Sequence, residues 1–183
     1  MRKPRLVKDG KSQKFSKRRT TLRERFWPNS GELIWSRHTH VGFTTIPRTL
    51  PLILRLIKEL SPKGKGDPSR VYFDLWSRVY DEGFVEVTQP DDFAYAAGYT
   101  GTRALRTWRE HVQLLAHMGF IRTEEQGNRD IAYVLILNPH EVVAQLRSIN
   151  KVPKEWWTAF VAQAEAIKAD IPNTEESVSA KSA

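Results

Sequence analysis

Between residues 84 and 138 the apolar positions change period in a definite order. Phe84-Val85-Glu86-Val87 reads as a short strand. Phe93, Ala94, Ala96 and Ala97 follow, then Leu105, Trp108, Val112 and Leu115 at spacings of three and four, the signature of a helix with one buried side. Phe120 to Glu124 and Ile131 to Leu137 read as two strands around a polar tip, Gln126-Gly127-Asn128-Arg129-Asp130. Strand, short helix, longer helix and hairpin in that order predict a winged helix-turn-helix, a module that commonly lays one helix in the major groove of duplex DNA.

The flanking patterns extend this core. Pro47 to Leu60 predicts a helix with Pro51 in its first turn and Leu52, Ile53, Leu56, Ile57 and Leu60 on one face, stopped by Ser61-Pro62. A helix from about Pro68 or Ser69 to Glu82 places Val71, Tyr72, Leu75, Trp76, Val79 and Tyr80 on one side, and Gly83 ends it. Thr88 is a cap candidate for the next helix, with Pro90 early in its turn and Asp91-Asp92 near the positive end of its dipole. Gly98 is placed to stop that helix in a left-handed conformation, Tyr99 to Thr102 makes the turn, and the second helix runs from about Thr102 to Met118. Asn138-Pro139 opens a helix through Ser148, and another spans about Pro153 to Asp170, with Trp156, Phe160, Ala164 and Ile167 on a shared face. Phe26 to Ile46 has no clear period; Leu33-Ile34-Trp35 and Val41 to Ile46 suggest a strand or an irregular arm. The expected fold is mainly α with a small β-hairpin (α+β), a winged helix-turn-helix core carrying extra N- and C-terminal helices. The expected layout is a basic arm over 1–25 and one domain over 26–171. That domain comprises an extension (26–67), the winged core (68–138) and terminal helices (139–171), and a polar tail over 172–183 follows it.

Charge sharpens the picture through its placement. Residues 1–25 hold eleven Lys or Arg against Asp9 and Glu24, whereas residues 26–183 hold eighteen against nineteen acids, so the net charge of +8 belongs to the leading arm. With few apolar residues and no apparent period, that arm is expected to be disordered when free. Arg18 and Arg19 are its candidate phosphate contacts. A solubilising tail or a grip on anionic lipid are the competing uses, and the module downstream favours nucleic acid. With no cysteine in 183 residues, thiolate metal sites, disulfides and cysteine nucleophiles are excluded. No apolar run reaches membrane-spanning length and no secretion signal opens the chain, so a cytoplasmic location is expected, nucleoid-associated when on DNA.

The outer positions of the second helix carry the candidate DNA-reading side chains: Thr102, Arg103, Arg106, Thr107, Arg109, Glu110 and Gln113, types that read base edges or clamp phosphates. Arg129 at the hairpin tip is the wing candidate. Glu124, Glu125 and Asp130 surround it with negative charge, which leaves a DNA-touching wing and a solvated hairpin equally open.

Phe93-Ala94, Ala97-Gly98 and Leu114-Leu115-Ala116-His117-Met118-Gly119-Phe120-Ile121 resemble the winged helix superfamily of bacterial and plasmid DNA-binding proteins, including one-component regulators, over roughly residues 69–138. The resemblance implies duplex DNA binding, in transcription regulation or in replication or partition of a mobile element. Trp108 departs from it, standing where smaller β-branched residues are usual. Residues 42–50 are also similar to proteins of plasmids and integrating elements. The face of the last helix fits either packing on the same chain or a homodimer, and the dimer is weighted slightly higher because appended helices often pair winged domains.

No catalytic constellation, cofactor motif or metal set is found. His38 and His40 flank Thr39 without a third ligand of sensible spacing, and Lys63-Gly64-Lys65-Gly66-Asp67-Pro68 lacks the ending of a nucleotide-binding loop. His111 and His117 are read as packing or polar contacts. A binding protein without enzymatic activity is expected; the alternative is a winged-helix platform for protein partners without specific DNA binding.

Overall fold

A computed structural model describes residues 10–38 and 40–170, the side chains of 10–15 excepted. The chain divides into two units, Met1–Phe43 and Thr44–Ala183. The division falls after Phe43, whereas the charge pattern had suggested a boundary near residue 25; the expected tail over 172–183 lies outside the described residues.

In the first unit, α1 covers Gly10–Phe26. That corrects the expectation of an arm without regular structure, for the part of it that is described. The reason lies in propensity rather than pattern: Lys, Arg, Gln and Leu lose little rotamer freedom in a helix, so it forms without an apolar stripe. Thr20 and Thr21 turn their hydroxyls onto the carbonyls of Ser16 and Lys17, four residues back. After a single 3-10 turn at Ser30–Glu32, no strand forms among the described residues up to Phe43, and the irregular reading of this stretch is the one observed.

The second unit is mainly helical with a small antiparallel sheet. Its elements are α2 (Leu50–Leu60), α3 (Ser69–Arg78), β1 (Phe84–Glu86), α4 (Pro90–Ala96), α5 (Ala104–His117), β2 (Ile121–Gln126), β3 (Arg129–Ile136), α6 (Pro139–Ser148) and α7 (Lys154–Ile167). The strand order is β1-β3-β2, so β1 joins the far side of the hairpin and turns the expected two strands into a three-stranded sheet. Helix α3, strand β1, helices α4 and α5 and the β2–β3 hairpin follow in that order, with β1 closing the sheet.

Gly98 acts as the stop expected of it, a second glycine stop follows α5, and Gly83, expected to end α3, lies five residues past that helix. After α4, Gly98 adopts φ +88°, its N–H donating to the Tyr95 carbonyl and that of Tyr99 to Ala94. After α5, Gly119 adopts φ +85°, and Gly119 and Phe120 bond Ala116 and Leu115 in the same pattern. These paired closures satisfy carbonyls that a helix end leaves orphaned. Gly127, at φ +59°, makes the first position of the two-residue hairpin loop.

Other boundaries differ from the pattern. α3 ends at Arg78 because Val79 is already extended (φ −74°, ψ 142°), which leaves Tyr80 exposed instead of on the buried face. Thr88 does not cap α4; Gln89 holds that position without a side-chain bond, and Pro90 occupies the first turn, where no N–H is needed. Asn138 does cap α6, its Oδ1 accepting from the His140 N–H at 3.0 Å.

The core joins Ile53, Leu56 and Ile57 of α2, Val71, Tyr72 and Leu75 of α3, Trp108, Val112 and Leu115 of α5, and Val134 of β3. α7 folds back on α2: Trp156 and Phe160 are buried and stacked at 5.0 Å, and the Trp156 Nε1–H donates to the Leu52 carbonyl at 2.9 Å. The apolar face on which the homodimer expectation rested is thus occupied by the chain itself, the plainer of the two readings.

Candidate nucleic-acid interface

The short α4, the turn over 97–103 and α5 place one helix with its inner side in the core and its outer side open. At about 100° per residue, Arg103, Arg106, Arg109, Glu110, Gln113 and His117 fall within one arc of about 120°. All six are exposed, and Trp108, Val112 and Leu115 hold the opposite side at zero exposure. The three guanidinium groups therefore project outward, as a groove-reading helix requires.

Their electrostatics differ. Arg106 is tied to Glu110 one turn on, Nε to Oε1 at 2.9 Å, and this bond holds the Glu110 carboxyl below its ordinary range. The Lys65 charge also lowers it. Arg103 and Arg109 make no ion pair with any described residue. Thr102 lies in the turn before α5 and is exposed; Thr107 is half-buried and points away from the centre of the arc.

Arg129 is placed differently. Its Nη2 donates to Gln126 Oε1 at 2.6 Å, its Nη1 donates to the Val87 carbonyl at 3.3 Å, and Glu86 lies 3.7 Å away. A side chain used this way braces the loop end of the hairpin against the segment after β1. Arg18 and Arg19 are exposed on α1, which belongs to the other unit.

The bed of α5 rests on two polar devices that periodicity did not reveal. His111 is buried between the Tyr99 hydroxyl and the Lys65 carbonyl, its Nε2 lying 2.7 Å from the latter. A carbonyl only accepts, so Nε2 carries a proton and donates it to Lys65. Burial, helped by the Asp67 carboxylate, pushes the Tyr99 phenol up to about 12, which keeps its proton in place. One ring thereby pins the Lys63–Pro68 loop and the helix-turn-helix corner to α5. In the second device, Arg78 bonds both Asp74 oxygens at 3.0 Å and lies 4.0 Å above the Phe93 ring, joining the end of α3 to α4. Beyond α5, Leu114, Met118, Val142, Leu146 and Ile149 line an open cavity of about 620 Å³ between its C-terminal end and α6.

Among the described residues no group of three or more His, Asp or Glu is placed to hold a metal ion, and no helix is long and apolar enough to cross a membrane. His38 and His40 stay in the first unit; His40 accepts a bond from the Ser36 N–H and stacks on Trp35 at 5.9 Å. No family model, curated protein or solved structure matches the chain.

Proposed function

We propose that this protein binds double-stranded DNA in a sequence-dependent way, with α5 in the major groove. The observation that carries the reading is the outward arc of α5, on which Arg103 and Arg109 lack acidic partners and Arg106 and Gln113 stand beside them on a helix whose reverse side is locked in the core. Arginine forks match the O6 and N7 acceptors of guanine, glutamine matches adenine, and Glu110 can accept from cytosine N4. The basic arm, including Arg18 and Arg19, adds attraction that does not depend on sequence. The biological role under this reading is transcription regulation, or replication or partition of a plasmid or mobile element, in the cytoplasm. A homodimer matching a two-fold operator would need a surface other than the Trp156 and Phe160 rings.

A protein-interaction platform is the second reading. It is favoured by the exposed Phe84 and Leu135, paired across β1 and β3 beside Tyr133 on the outside of the sheet.

Selection from a random duplex pool, followed by titration of the recovered site, tests the first reading. Arg106→Ala should weaken the selected site by about 1 to 3 kcal/mol and relax one base position, and removal of residues 1–20 should flatten the salt slope on every duplex. No retention of duplex at low salt, or wild-type affinity in both variants, refutes it.

A further inference from the structure

Four of the six tryptophans, Trp76, Trp108, Trp156 and Trp157, pack on or in the core of the second unit. The other two do not. Trp27 is 65% exposed and Trp35 57%, both in the first unit, and Phe26 and Phe43 are also at least half exposed. The rings form two groups, Phe26 with Trp27 at 5.9 Å and Trp35 with Phe43 at 5.9 Å. Such a concentration of bare ring faces is costly in water and marks a binding surface.

Charge complementarity identifies what covers them. α1 leads directly into Phe26-Trp27, and residues 1–25 carry the whole positive excess of the chain. Arg25 lies 5.8 Å from the Phe26 ring, and Arg37 follows Trp35 by two residues and is exposed. Cations that track a polyanion, interleaved with rings that offer flat apolar faces, are the elements of a stacking platform for unpaired bases. A duplex cannot use the rings, because its base faces are already covered by neighbouring pairs. An anionic membrane would want a broad apolar face along the helix; in sequence α1 holds only Phe15, Leu22 and Phe26 among its seventeen residues, a narrow line beside many cations.

We propose that α1 and the segment through Phe43 form a binding site for single-stranded nucleic acid, in which Trp27 and Trp35 stack on bases and the arginines of α1 follow the phosphates. The site goes beyond the duplex-reading role of α5; the arginines of α1 serve both, but Trp27 and Trp35 belong to this site alone and the α5 arc to the other, so either can fail without the other.

The full chain titrated with an unstructured thymidine 20-mer tests the proposal through tryptophan emission. The expected result is saturable quenching, with Trp27→Ala/Trp35→Ala abolishing most of the quench and weakening binding by at least about fivefold per ring. Both rings are exposed, so the variant keeps its fold, which far-UV circular dichroism and unchanged duplex titration verify. Binding without quenching, or equal affinity in the double variant, would reduce the site to charge alone and overturn the proposal. So would tighter binding to phosphatidylserine vesicles than to the oligonucleotide, with the tryptophan emission shifting blue.

Discussion

Gly64 and Gly66 make a matched pair for testing whether the loop before α3 is held by His111. Both sit at nearly the same backbone angle, φ +80° and +82°, so alanine at either incurs the same left-handed penalty of about 1 to 2 kcal/mol, partly offset by the lower entropy of the unfolded chain. They differ in what a Cβ would meet. At Gly64 nothing lies within 4 Å; at Gly66 the new atom would stand 2.9 Å from His111 Nε2. That ring is buried and held at both nitrogens, so it cannot swing aside without leaving the Lys65 carbonyl or the Tyr99 hydroxyl. Losing one such bond and stranding its partner costs about 1 to 3 kcal/mol. Gly66→Ala should therefore be less stable than Gly64→Ala by about that amount in urea unfolding followed by circular dichroism. Equal midpoints for the two variants, at equal m-values, would show that His111 does not hold the loop.

Two further outcomes follow from the packing. Burial raises the Asp74 carboxyl above its ordinary 3.8, with Arg78 only partly opposing. The folded state then binds more protons than the unfolded one between those two pKa values, so wild-type stability relative to Asp74→Asn should fall as pH rises through that window; a difference that stays flat or rises from pH 3.5 upward would contradict the assignment. Trp156→Phe keeps most of the stacking on Phe160 but removes the bond to the Leu52 carbonyl, and thermal or urea unfolding should register a loss of about 1 to 2 kcal/mol, whereas an unchanged midpoint would mean that α7 is not anchored there.

What could be read along the chain is what short-range chemistry encodes. Gly98 closes α4 as expected because the left-handed stop is a property of one residue and its neighbours. Asn138 caps α6 for the same reason. The exposure of Arg103, Arg106 and Arg109 also followed from helical period alone. The contacts that set the site were not accessible in this way. His111 meets a carbonyl 46 residues earlier, His140 meets Thr49 across 91 positions at 2.7 Å, and Trp156 reaches Leu52 across 104. A lone histidine or tryptophan in a sequence looks alike whether its partner is near, distant or solvent. Helix α1 differs for another reason: propensity carries it, with no broad apolar face to mark it in the pattern.

Under the proposed function, the partition of charge divides the physical work between residues 1–25 and the rest of the chain. Beyond residue 25 the chain has nearly balanced charge, and on α5 itself Glu110 already occupies Arg106. A helix of that kind attracts a duplex weakly at distances past the Debye length of about 8 Å, so its contacts discriminate mainly once it has arrived. Within residues 1–25, eleven basic side chains act against two acids and can attract any phosphate chain, paired or single-stranded, with no preference among sequences. Glu110 is consistent with this division. A carboxylate facing phosphates lowers indiscriminate affinity everywhere, and it is tolerable on a reading helix only if attraction is supplied by other residues and its own place opposite a particular base repays the repulsion.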